Sequence, residues 1–141
     1  MGMEKTNVLV LLTPKTQLAY LDDSMNIRQA LEKMRHHGFM AIPVISKTGE
    51  YLGTISEGDL LWRIVDEDDY DLELLESIKV IDLIRKDYAK SAKVDVSMEK
   101  LVEMITFQNF VPIVDDRNIL MGIITRRRVL QQLLRNENGT F

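Results

Sequence analysis

Three arginines, Arg126, Arg127 and Arg128, directly follow Thr125 and open an apolar helical pattern. Thr is a good N-cap, so the three cations would fall in the first turn of a helix. There they oppose the helix dipole, by about 0.3–1 kcal/mol each when exposed. A helix N-terminus also offers free backbone N–H groups to an anion, and guanidinium forks add bidentate bonds to phosphate oxygens. The pattern suits a phosphate-bearing ligand. The other reading is a solvated basic patch that pairs with the acids between Asp66 and Asp71. A second cap, Ser56, is followed by Glu57, Gly58 and Asp59. Asp59, three residues after the cap, has the spacing of a capping-box acid. Glu57 satisfies the dipole but would repel a phosphate.

Other chemistry has little to be built from. There is no cysteine, which excludes a disulfide scaffold, a thiolate metal site and a cysteine nucleophile. The two histidines, His36 and His37, are adjacent and end a helical pattern, where a cation favours the helix C-terminus. No third ligand stands near them at metal spacing, and a Ser-His-Asp triad lacks its parts. There is no Walker-type phosphate loop and no carboxylate pair set for acid–base work. Metal, catalytic cofactor and enzymatic activity are therefore not expected. Trp62 reads as core or dimer interface rather than as a ligand stack.

The 141 residues make 16.3 kDa, one ordinary domain or two small repeats sharing a core. The net charge of -4 is unevenly placed: Asp66, Glu67, Asp68, Asp69, Asp71, Glu73 and Glu76 crowd one segment, leaving a mildly basic body. That balance argues against general nucleic-acid coating. The apolar run Val8–Leu12 is far short of the roughly 20 residues of a membrane span and too short for a signal-peptide core. Met1–Thr6 formally fits a myristoylation pattern, but a plain disordered start is the simpler reading. A cytoplasmic protein is expected.

The chain repeats itself. Asn26–Met34, then Gly38, Ile42-Pro43-Val44-Ile45 and Leu52–Leu61, parallels Ser97–Ile105, then Val111-Pro112-Ile113-Val114 and Met121–Leu130. The second copy lacks two residues between the helix and the proline. Ile27, Ala30, Leu31 and Met34 form one helical apolar face, and Met98, Leu101, Val102 and Ile105 form its counterpart. Each helix precedes a predicted hairpin (41–45 with 51–55; 110–114 with 119–124), turning at Ser46–Gly49 or Asp115–Asn118. A helix then opens at Ser56 or Thr125. Extended lead-ins precede the first helices at 18–21 and 91–94, and 72–84 reads as a returning helix. Neither hairpin can bury both faces alone, so the copies should pack together. The fold class is α/β (α+β), each repeat a small sheet with flanking helices.

This order, Ile-Pro-Val-Ile, a turn, then Leu-Gly-Thr-Ile-Ser-x-x-Asp-Leu, resembles a CBS domain. Two in tandem resemble a stand-alone CBS pair, or Bateman module. The boundaries are an N-terminal segment 1–11, repeat one at 12–65, an acidic linker and helix start at 66–79, repeat two at 80–134 and a tail at 135–141. The resemblance implies pseudo-twofold related repeats, a non-enzymatic regulatory role, an adenine nucleotide ligand and a homodimer.

It also implies two clefts. The first would use Thr125, Arg126, Arg127 and Arg128, with Thr13, Thr16, Leu18, Ala19, Tyr20, Phe39, Met40 and Ala41 opposite. Leu18, Ala19 and Phe39 would form an apolar slot for adenine, and Tyr20 could stack on it. Arg128 stands where the family places a ribose-binding Asp. The second would use Ser56 and Asp59, the family Asp, with Lys90, Ser91, Ala92, Gln108 and Asn109. The Leu-Ala-Tyr lead-in, Gly-Phe-Met-Ala-Ile-Pro turn and Thr-Arg-Arg element further resemble a bacterial subgroup that binds cyclic di-AMP. The expected function is a sensor of AMP, ADP, ATP or cyclic di-AMP that signals to a protein partner. The alternative is an interaction scaffold with empty clefts.

Overall fold

The computed structural model describes residues 7–38, 40–67, 71–85 and 87–138. Met1–Thr6, Phe39 and the linker acids Asp68 and Asp69 lie outside them, so the expectations placed there are not addressed. The chain forms two compact units. Ala19–Tyr88 makes one; the two chain ends, up to Leu18 and from Ala89, make the other.

In the first unit, β2 (Leu21–Asp22) runs parallel to β3 (Ala41–Ile45), which pairs antiparallel with β4 (Tyr51–Ser56). Between β2 and β3 lies α1 (Ile27–His37), opened by a reciprocal Asn26–Gln29 capping box and closed by left-handed Gly38 (φ 70°), whose N–H donates to Met34 O. Ile27, Ala30 and Met34 are buried, while Leu31 sits at the exposed edge. The helix α2 (Glu57–Glu67) follows β4 directly.

In the other unit the sheet order is β1 (Thr13–Pro14), β7 (Leu120–Thr125), β6 (Phe110–Val114), β5 (Ala92–Lys93). The strand β5 is parallel to β6, as β2 is to β3. Ahead of the hairpin lies α4 (Met98–Ile105), capped by Ser97, and after it α5 (Arg126–Asn138). Even the register irregularity repeats, between Val44 and Ile45 and between Ile113 and Val114. The turns match too. Ser46 Oγ accepts from the N–H groups of Thr48 and Glu50, and Asp115 Oδ1 from those of Arg117 and Ile119. The Ile119 N–H is the main reason the Asp115 carboxyl titrates below the ordinary aspartate range. Both helix–hairpin–helix programmes thus follow the sequence periodicity, and two small sheets with flanking helices result.

One expected element is corrected. Residues 72–84 are not one helix: α3 spans Leu72–Ser77, and a single 3-10 turn covers Val80–Leu83. The break has a tertiary cause. Ile27 N–H donates to Ile78 O and Val80 N–H to Met25 O, which holds Ile78–Val80 extended against the entry to α1. Ile78 and Val80 are buried there, and β-branched residues yield readily to such pairing. Of the two places expected for Trp62, the core is ruled out: it is 64% exposed on α2, which leaves the dimer interface.

Candidate functional site

The two hairpin-to-helix junctions carry the polar residues singled out above, and their backbones match. Arg126 N–H donates to Asn109 O at 2.8 Å, and Glu57 N–H to Met40 O at 2.9 Å. These bonds seat each helix start against the residue before the paired strand. Thr125 Oγ1 accepts from Arg128 N–H at 3.2 Å, and Ser56 Oγ from Asp59 N–H at 3.2 Å, so both hydroxyls are N-caps.

The side chains then diverge. Arg126 turns away from its own helix start: Nε donates to Ile105 O at 2.8 Å and Nη2 to Gln108 O at 3.2 Å. It caps the end of α4, where a cation is favoured. Arg127 and Arg128 are exposed and form no ion pair among the described residues. Arg128 lines a cavity of about 250 Å³ with Gln131, Gln132 and Arg135 of α5 and Val10 and Leu11. The arginine run is therefore divided into one structural residue and two free cations.

At the other junction Asp59 is fully engaged. Its Oδ2 accepts from Ser56 N–H at 2.8 Å and Oγ at 2.9 Å. Its Oδ1 pairs with Arg85 Nε at 2.8 Å. The Arg85 guanidinium also lies 4.1 Å from the centre of the Tyr88 ring. Sequence reasoning missed Arg85, since nothing sets it apart from the neighbouring charges Lys86 and Asp87.

The remaining predicted residues fall as follows. Thr13 pairs with Ile123 across β1 and β7, Thr16 is exposed, and Leu18 is half-buried. Ala19 is buried; Tyr20 is half-buried with Lys33 Nζ 5.2 Å from its ring centre. Met40 is 65% exposed and Ala41 opens β3. Lys90 and Asn109 are exposed, while Ser91 and Ala92 are half-buried. Gln108 is buried and bridges backbone: Nε2 donates to Lys90 O and Phe110 O, and Oε1 accepts from Lys90 N–H. That amide ties the lead-in of the second repeat to its sheet, a structural task the spacing did not reveal. Among the described residues no three acids or histidines gather at metal-binding distance, and no helix is long and apolar enough to cross a membrane.

Comparisons with known proteins agree with this geometry. The CBS-domain family matches residues 10–66 and 80–135. The chain is similar to the Methanopyrus kandleri protein MK0525, 29% identical over 103 residues that cover 70% of this chain. It spans about half, 49%, of that relative. A crystal structure of CbpB in complex with c-di-AMP shares the fold, with a TM-score of 0.86 at 22% identity, covering 98% of this chain and 91% of that one. The structure of CBSX2 in complex with AMP does so with a TM-score of 0.76 at 24% identity, covering 93% and 98%. With two copies of the helix–hairpin–helix programme, each matched in turn, the chain belongs to the CBS-domain family.

Proposed function

We propose that this CBS pair is a regulatory module that binds an adenosine-containing nucleotide and reports its occupancy to a partner protein. The repeats are taken as 12–65 and 80–134, joined by the acidic linker 66–79, and the acting form as a homodimer. The observation that carries the reading is the pair Arg127 and Arg128. They are exposed at a helix start whose dipole they oppose, with no acid paired to them among the described residues. Such an arrangement costs stability unless an anion answers it. The structural relatives named above were solved with c-di-AMP and with AMP, which supports a nucleotide as that anion. Arg127 and Arg128 would hold phosphate; Ala19, Tyr20, Met40 and Ala41 would meet the base. Signalling needs different affinity for the nucleotide in two packings of the module.

The test is a thermal-shift series on nucleotide-stripped protein with AMP, ADP, ATP, cyclic di-AMP and GTP. A ligand at about 100 times its Kd adds about 2.7 kcal/mol, a shift of several degrees. The doubly substituted Arg127→Ala/Arg128→Ala protein should lose that shift. A panel that leaves the melting curve of the unsubstituted protein unmoved sinks the reading.

A second reading is an interaction scaffold with empty clefts. It is favoured by Leu61, Trp62 and Val65, which stand exposed on α2. The same panel separates the two, because a scaffold shows no ligand response.

A further inference from the structure

The two lead-ins of the pair end differently, and the difference bears on the Asp59 cleft. Each crosses a glycine of its hairpin. At Gly53 (φ 154°) a Cβ would overlap Ile84 Cγ2; at the equivalent Gly122 it would overlap Thr13 O. Leu12 and Ile84 close the matching 3-10 turns Val8–Leu11 and Val80–Leu83, so the next residues, Thr13 and Arg85, also match. On one side the position carries a guanidinium that reaches a carboxylate. On the other it carries a threonine, which has no cation to offer.

We propose that Arg85 is an internal latch that occupies the Asp59 carboxylate and keeps it from a ribose diol. The inference rests on the nucleotide reading above. The Asp59 oxygen that does not serve the cap, Oδ1, is paired with Arg85 Nε at 2.8 Å, and the Asp59 side chain is only 10% exposed. Ribose hydroxyls would need that same oxygen, because Oδ2 already serves Ser56. Arg85 is held in place from two directions. Ile84 is docked over Gly53, and the Tyr88 ring stacks on the guanidinium at 4.1 Å. The arginine side chain is nevertheless 55% exposed, so it can swing into water without breaking the core. The latch makes the pair asymmetric: one junction presents free arginines to an anion, while the other is closed by a cation of its own chain. Partial exposure keeps the ion pair weak enough for release, of the order of a tenfold effect on binding when joined to the stacking.

The experiment is calorimetric titration of AMP, and separately of cyclic di-AMP, into nucleotide-stripped wild type and Arg85→Gln. The variant should gain one further equivalent of AMP per chain, or bind AMP about tenfold tighter. Adding Asp59→Asn to the variant should remove the gain. Arg85→Lys keeps the charge but not the stacked fork and should fall between; it also serves if the glutamine variant melts early. Wild type that binds nucleotide, with Arg85→Gln binding it identically, overturns the latch and leaves the nucleotide reading standing. Failure of both proteins to bind any nucleotide sinks the nucleotide reading, and the latch falls with it.

Discussion

Arg126 donates from Nε to the carbonyl oxygen of Ile105 at 2.8 Å. That carbonyl is the counterpart of Met34 O in the first repeat, which accepts from the N–H of left-handed Gly38. The second repeat lacks the two residues that include such a glycine, and α4 is correspondingly shorter than α1. A side chain from the next helix supplies the missing cap. The matching position in the first repeat is Glu57, which could not do so, since a carboxylate offers no donor to a carbonyl.

The consequence is a split within the arginine run. Arg126→Ala should destabilise the fold by about 2 kcal/mol, the loss of charge-assisted bonds to two carbonyls. Arg127→Ala and Arg128→Ala should be neutral or stabilising by up to about 1 kcal/mol, since each removes a cation from a helix start. Urea denaturation of the three single variants decides it. Equal losses in all three would contradict the division.

Gln108 should prove as important as a core residue. Its amide makes three bonds to the backbone of Lys90 and Phe110. Gln108→Ala should cost about 2–3 kcal/mol, and Gln108→Glu no less, because a carboxylate cannot donate to two carbonyls. Chemical denaturation at neutral pH would show it, and a loss below about 0.5 kcal/mol would mean the bridge is dispensable.

Alkaline stability should depend on Tyr51. Its hydroxyl bonds to Thr54 Oγ1 at 2.7 Å in a buried pair. Burial pushes its pKa up from 10.0 to about 12. The folded state thus holds this proton more tightly than the unfolded chain. Its contribution is complete below pH 10 and is lost as pH rises toward about 12. Melting temperatures measured from pH 8 to pH 12 should fall across that window, and less steeply in Tyr51→Phe. The variant should itself cost about 1–2 kcal/mol, for it leaves the buried Thr54 hydroxyl without this partner.

Gly53 and Gly122 should tolerate no side chain. Gly53→Ala sets a Cβ against Ile84, and Gly122→Ala sets one against Thr13 O, with Pro14 Cα at 3.0 Å. Each should cost about 2–3 kcal/mol. Hydrogen exchange would separate them: Gly122→Ala should expose the β1–β7 amides, and Gly53→Ala should leave them protected.

Much of the fold was legible because the repeat was written twice in hydrophobic spacing. Both apolar helix faces, both hairpins and both N-caps follow from local pattern. The returning helix at 72–84 was misread because its break comes from backbone bonds to Met25 and Ile27, far away in the chain. The caps Thr125 and Ser56 were visible in the sequence; what Arg126 and Asp59 do with their side chains was not. Arg126 reaches Ile105 and Gln108, and Asp59 meets Arg85, through packing that no spacing announces. Gln108 looked like a ligand residue for the same reason: a polar side chain beside a strand start reads alike whether it faces a ligand or bridges backbone.

The strand Thr13–Pro14 lies at the edge of a sheet whose other strands come from the far end of the chain, paired with Ile123 and Gly122. During synthesis this segment leaves the ribosome well before its partner, with the whole Ala19–Tyr88 unit made in between. The Ala19–Tyr88 unit holds all its own strands and can close while translation continues. The segment that carries buried Val8 and Leu11 must wait uncovered until β7 emerges. An early stop after the first repeat would therefore release a chain with a finished unit and an orphaned apolar segment, a form suited to chaperone capture.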